Sequence, residues 1–83
     1  MADSLQLKIQ YFAVLREQRG LAEETIISEA ATPGELYVQL RVRHGFTLAP
    51  EMVRAAVNGG FAPMDRRLVS GDTVVFIPPV AGG

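Results

Sequence analysis

The residues best placed to do chemistry in this 83-residue chain are its last two, Gly82 and Gly83. They follow Pro78-Pro79-Val80-Ala81, and that spacer follows the apolar run Val74-Val75-Phe76-Ile77. Two prolines fix φ twice and favour an extended, polyproline-like path. Residues 78–83 therefore reach at most about 20 Å, at roughly 3.3 Å per residue, enough to enter a deep pocket of another protein. The glycines let the backbone pass a narrow channel and leave the final carbonyl unhindered. The expectation is that the α-carboxylate of Gly83 is itself the reactive group. A carboxylate is a poor acyl donor because oxide is a poor leaving group, so it needs activation, typically as a mixed anhydride with a nucleotide. A sulfur nucleophile that displaces the nucleotide gives a thioester or a thiocarboxylate, and the residues alone do not choose between them.

No other constellation competes with this one. The single histidine, His44, lies among Arg41, Arg43 and Gly45 and reads as a solvated helix end. One histidine without cysteine does not make a transition-metal site. Asp65 and Asp72 each sit in a turn context, where aspartate bonds its own backbone. Glu23-Glu24 reads as a solvated turn. Gly34 opens a helix, but the lysine of a nucleotide-binding loop is absent. The chain is expected to be non-catalytic on its own, with no metal and no stably bound cofactor.

Composition narrows the setting. There is no cysteine among the 83 residues, which removes disulfides, thiolate metal sites and a thiol nucleophile. Eight basic and nine acidic residues are interspersed, for a net charge of -1. Arg41 and Arg43, and Arg66-Arg67, are small clusters that read as solvated surface rather than the basic stripe of a nucleic-acid binder. No apolar run approaches the roughly 20 residues that span a bilayer. Met1-Ala2-Asp3-Ser4 lacks the basic region of a signal peptide. The expected address is the cytoplasm, with neither nucleic acid nor membrane as partner.

The elements that must carry the tail are legible in outline. Leu5, Leu7, Ile9 and Tyr11 alternate with polar residues, as in a strand with one buried face. Ala13 to Arg19 has a short helical character that Gly20 ends, and Glu24 to Ser28 is a second strand pairing with the first. Thr32-Pro33-Gly34-Glu35 starts a helix, with a threonine cap, proline at the first position and glutamate completing a capping box. Leu36, Tyr37 and Leu40 line one side of it, and Gly45 fits its exit. Phe46 to Met52 reads as a loop. Val53, Ala55 and Val57 define a third strand, Asn58-Gly59 a hairpin turn, and Phe61 to Met64 a short return strand limited by Pro63. Thr73 to Ile77, the most continuously apolar run, is expected at the centre of the sheet with the first strand as its parallel neighbour. One main helix packed on one face of a small mixed sheet makes an α+β, β-grasp domain over residues 1–77, with residues 78–83 as an extended tail.

With the helix on one face, the other face is open. Phe12, Val75 and Ile77 fall opposite Tyr11, Val74 and Phe76, and Phe61 adjoins them beside the hairpin. These residues either form a partner surface, as exposed apolar patches do, or complete a thin core. The first reading is preferred for the group. Arg54, on the same face, is either a partner for an acidic group or solvated surface.

Several stretches resemble the small subunit of molybdopterin synthase, a family of ubiquitin-like sulfur carriers. They are Ile9-Gln10-Tyr11-Phe12-Ala13-Val14-Leu15-Arg16-Glu17, Ala55-Ala56-Val57-Asn58, Leu68-Val69-Ser70-Gly71-Asp72-Thr73-Val74 and, most specifically, Phe76-Ile77-Pro78-Pro79-Val80-Ala81-Gly82-Gly83. The resemblance implies that a ubiquitin-activating-type adenylyltransferase uses ATP to make a transient Gly83 acyl-adenylate. A persulfide sulfur donor would then convert Gly83 to a thiocarboxylate. It also implies insertion of Pro78, Pro79, Val80, Ala81 and Gly82 into the large subunit of molybdopterin synthase, within a heterotetramer of two carriers and two large subunits. There the terminal sulfur would attack a cyclic pyranopterin precursor on the way to the molybdenum cofactor. Phe12, Phe61 and Ile77 match apolar interface positions of that family. The rivals are a sulfur carrier for thiamine or tRNA thiolation, and a ubiquitin-like protein modifier. Lys8 is the only lysine, which disfavours a modifier that builds chains.

Overall fold

Alternating burial along Leu5–Tyr11 makes the first strand, β1, whose Leu7, Ile9 and Tyr11 are sealed from solvent. The computed structural model describes residues 4–79 of the chain. After β1 come α1 (Ala13–Arg19), β2 (Glu23–Ser28), α2 (Pro33–His44), a single 3-10 turn at Pro50–Met52, β3 (Arg54–Val57), β4 (Gly60–Ala62) and β5 (Thr73–Ile77). The five strands form one sheet in the order β2-β1-β5-β3-β4. β5 runs parallel to β1 and antiparallel to β3, while β1–β2 and β3–β4 are antiparallel pairs. This is the expected β-grasp, with the last strand at its centre.

Local chemistry explains the boundaries. The Thr32 hydroxyl accepts the Glu35 N–H at 3.2 Å, and Pro33 occupies the first helical position, where no N–H is needed. The Glu35 carboxylate reaches one residue further back than a capping box requires, to the Ala31 N–H at 3.3 Å. α2 ends at Gly45, left-handed at φ 72°, whose N–H returns to the Arg41 carbonyl. Asn58 and Gly59 have φ of 52° and 90°, the two positive angles of a tight hairpin turn matched to strand twist, and Val57 pairs with Gly60 across it.

α2 lies over one face of the sheet. Its Leu36, Tyr37 and Leu40 meet Leu7, Ile9, Val74 and Phe76 in a single core. The Tyr37 and Phe76 rings sit 5.3 Å apart, centroid to centroid. Phe46, expected in a loop, is a core residue. It stacks on Tyr37 at 6.0 Å and meets Tyr11 edge-on at 5.8 Å. The segment behind it is strapped to α2 by two bonds to the Leu48 carbonyl, from the Tyr37 hydroxyl at 2.8 Å and from Arg41 Nε at 3.0 Å. Arg41 is therefore a structural strap and not a solvated helix end.

Leu36→Ala removes fully buried methyl groups at the helix–sheet seam and is expected to cost about 2–5 kcal/mol. Val69→Ala, on an exposed loop, is expected to stay within about 0.5 kcal/mol. Chemical denaturation of the two variants checks this, and equal losses would contradict the assignment of the core.

Candidate functional site

β5 stops at Ile77 because Pro78 has no N–H to continue the ladder. Pro78 is half-buried and Pro79 is exposed. The remaining positions expected to enter a partner, Val80, Ala81 and Gly82, and the expected reactive residue Gly83, lie outside the described residues.

The sheet face away from α2 is mostly polar over β2 and β1, where the exposed Ile27 opposite Gln6 is the exception, and apolar over β5, β3 and β4. Across one row, pairing sets Glu23 opposite Gln10, Gln10 opposite Val75, Val75 opposite Ala56 and Ala56 opposite Phe61. The row is polar over β2 and β1 and apolar over β5, β3 and β4. In the next row towards the chain's exit, Arg54 faces Ile77. Phe12 lies one residue past Tyr11, the partner of Phe76. Phe61 is 76% exposed and Phe12 51%, while Val75 and Ile77 are half-buried. The structure thus brings Phe61 and Val75 into one row, with Arg54 and Ile77 beside it. Ala56 sits between Phe61 and Val75 and belongs to the patch. Its signal was the alternation with Ala55, masked by its small size.

The two halves differ in electrostatics. On the polar half, charges satisfy one another: Lys8 Nζ lies 3.6 Å from Glu23 Oε1, and Gln10 Nε2 donates to Glu23 Oε2 at 3.2 Å. Arg54 is exposed at the apolar end and has no ion-pair partner among the described residues. A groove of about 360 Å³ opens beside it, lined by Phe61, Pro63 and Met64 among others. An apolar patch carrying one uncommitted guanidinium can bind a partner surface with an apolar centre and a carboxylate at its rim.

Two polar brackets hold corners of the sheet, the first of them on the side that α2 covers, where Glu24 pairs with Ile9 beside the buried Tyr11. The first lies under α1. Arg19 grips both oxygens of Glu24, at 2.8 Å from Nε and 2.7 Å from Nη2, and the Tyr11 hydroxyl donates to the same carboxylate at 2.7 Å. Glu24 is therefore no solvated turn residue. The Arg19 hydrogen bonds hold its carboxyl at about 2, against the opposing effect of burial. Burial and the Glu24 carboxylate push the Tyr11 hydroxyl well above the usual phenol range. The bracket ties the end of α1 to β1 and β2. At the other end of α1, Ala13 takes φ 52°, a turn few non-glycine residues make, and Phe12 stands outward at that corner.

The second bracket centres on Asp72, which is 4% exposed. Its carboxylate accepts from the Val69 N–H at 2.9 Å, the Asn58 amide at 2.8 Å and Arg66 at 3.2 Å. Burial pushes the carboxyl up, but these donors together outweigh it and hold the group below its ordinary value. The turn reading of Asp72 was sound. Arg66, read as solvated, is the cation of this bracket. Asn58 also accepts the Thr73 N–H, so the start of β5 is pinned to the β3–β4 hairpin.

His44 is not a free helix end either. Its ring lies 5.7 Å from that of Phe46, and burial, helped by Arg19 and Arg43, lowers its imidazole below the ordinary value. No group of three metal-ligating side chains occurs among the described residues, and no helix there is long and apolar enough to cross a membrane.

Comparison with known proteins agrees with this geometry. The model of the ThiS family matches residues 9–83. The molybdopterin synthase sulfur carrier subunit of Chlamydomonas reinhardtii is 33% identical over 91 residues, covering 95% of this chain and all of that protein. Its namesake from Escherichia coli (strain K12) is 31% identical over 80 residues, covering 93% of this chain and 99% of that protein. Among solved structures, the putative molybdopterin converting factor subunit 1 of Pyrococcus furiosus is 33% identical with a TM-score of 0.75. It covers 93% of this chain and is itself covered in full.

Glu24→Gln is expected to cost about 1.5–3 kcal/mol at neutral pH, because Arg19 loses a charged acceptor. The carboxyl is depressed in the folded chain, so its stabilisation is complete above its ordinary value of 4.5 and is lost as pH falls from there towards about 2. Thermal melts between pH 7 and pH 2 should show a steeper acid loss for the parent than for Glu24→Gln. Parallel curves would contradict the bracket.

Proposed function

This chain belongs to the ThiS family, and on that footing we propose that it is the sulfur carrier subunit of a molybdopterin synthase, inert without its partners. The observation that carries the reading is the near full-length match to sulfur carrier subunits, together with the place where β5 stops. The family match includes the Gly82-Gly83 pair, and Pro78-Pro79 leaves the sheet beside the apolar half of its open face. A carrier needs a face that docks and a segment that leads away from it, and these residues supply both.

The chemistry then resides at one acyl carbon. The Gly83 carboxylate attacks the α-phosphorus of ATP on a ubiquitin-activating-type adenylyltransferase, releasing pyrophosphate and leaving an acyl-adenylate. The outer sulfur of a partner's persulfide attacks the acyl carbon and expels AMP. Thiol cleavage of the resulting acyl disulfide leaves the thiocarboxylate. In the synthase, the tail from Pro78 to Gly82 enters the large subunit, and the terminal sulfur attacks the pyranopterin precursor there. Hydrolysis at Gly83 returns the carboxylate. The described residues contribute positioning. Phe12, Phe61, Val75 and Ile77 bury against the large subunit, and Arg54 meets a carboxylate on it. Neither ATP nor any other cofactor stays bound, and the assembly holds two carriers and two large subunits.

Deleting Gly83, or extending the chain beyond it, is expected to abolish sulfur transfer in a synthase reconstituted from purified subunits while leaving the melting temperature unchanged. Full activity of the deletion variant would refute the reading. Phe12→Asp, at a half-exposed corner, is expected to weaken binding to the large subunit by at least about tenfold while costing under about 1 kcal/mol of stability. A large loss of stability with unchanged binding would instead place Phe12 in the core.

A further inference from the structure

The helix layer carries an apolar feature that the tail and the open sheet face do not use. While α2 buries Leu36, Tyr37 and Leu40, it turns Val38 and Val42 outward, 48% and 81% exposed. Four residues apart, the two valines stand one above the other on a single face. A shallow hollow lined by Val38, Gln39, Val42 and Arg43 runs along them. From Gln39 and Arg43 a groove of about 310 Å³ continues to Ile26 and Ile27 on β2, a strand at the edge of the sheet.

The order of charges on this face identifies what covers it. Glu35 lies in the first turn and Arg43 in the last. Eight residues separate them, about 12 Å along the axis. At 3.6 residues per turn both fall on the same flank of the valine line. One oxygen of Glu35 is engaged by the Ala31 N–H, and Arg43 has no ion-pair partner among the described residues. A parallel copy of α2 would set Glu35 against Glu35 and Arg43 against Arg43. An antiparallel copy related by a two-fold axis near Gln39 sets Glu35 against Arg43 at both ends, with the four valines between. The face is thus self-complementary in the sense a two-fold interface requires.

We propose that the outer face of α2 is a self-pairing surface that joins two copies of this chain antiparallel through Val38, Val42, Glu35 and Arg43. A seam of two valines per copy is small, so the pair is weak and depends on concentration. It leaves the sheet face and the exit at Pro78 on the far side, free to bind other proteins. The inference does not rest on the sulfur-carrier reading, and either can fail alone.

Sedimentation equilibrium of the purified full chain, from micromolar to millimolar at low salt, tests it. The parent should move from monomer to dimer, and Val42→Glu and Val38→Lys should each remain monomeric with unchanged melting curves. Glu35→Arg and Arg43→Glu should each weaken pairing about tenfold. The double swap should restore it, which a loss of helix capping at Glu35 cannot do. A parent that stays monomeric up to millimolar overturns the proposal. So does a dimer that survives Val42→Glu, or a double swap no better than its parts.

Discussion

A single helix can seal only one face of a five-stranded sheet, and most of what is distinctive in this molecule follows from that. Leu36, Tyr37 and Leu40 close over Leu7, Ile9, Val74 and Phe76, and that closure holds β5 in the middle of the sheet between β1 and β3. A last strand at the edge would release the chain at the rim. A last strand at the centre releases it from the middle of the sheet, so Pro78 departs beside Ile77 and Arg54. The uncovered face keeps most of its apolar residues where the chain leaves, Ile27 on β2 excepted, and its paired charges where it does not.

Two corners of the sheet are held by ions and not by grease. Tyr11, Arg19 and Glu24 close one corner, and Asn58, Arg66 and Asp72 close the other. Both carboxylates are kept ionised by donors that more than offset partial burial, so the brackets persist at neutral pH. A small domain buries little surface, and such brackets supply order where a core cannot reach. None of these groups is arranged as a nucleophile beside a base. On the proposed reading these residues position and dock, and the reactive carbon is that of Gly83.

What was legible in the sequence was local. Period-two burial in β1 and β3, the Thr32-Pro33 start, the Gly45 exit and the Asn58-Gly59 hairpin are set by neighbours along the chain, and each stands where the residues pointed. The central place of β5 also agrees with its unbroken apolar run, although only Val74 and Phe76 of that run face the core while Val75 and Ile77 face the open side. What stayed hidden was set by distant partners. Phe46 looks like a loop residue until α2 and β1 bring Tyr37 and Tyr11 against it. Glu24, Arg41 and Arg66 look solvated because their partners, Arg19, the Leu48 carbonyl and Asp72, are assigned by the fold. The apolar half of the open face is legible from alternation, but not the pairing of charges over β1 and β2 that sets it apart.

The account places all of the chemistry at Gly83 and none in the folded domain. Intact-mass spectrometry addresses this most directly, with fragmentation to locate the change, after the chain meets an adenylyltransferase, ATP and a persulfide donor. The account predicts that one oxygen is replaced by sulfur, located at Gly83 and nowhere else. An unchanged chain under conditions that charge a known carrier, or sulfur found on any internal residue, would contradict it.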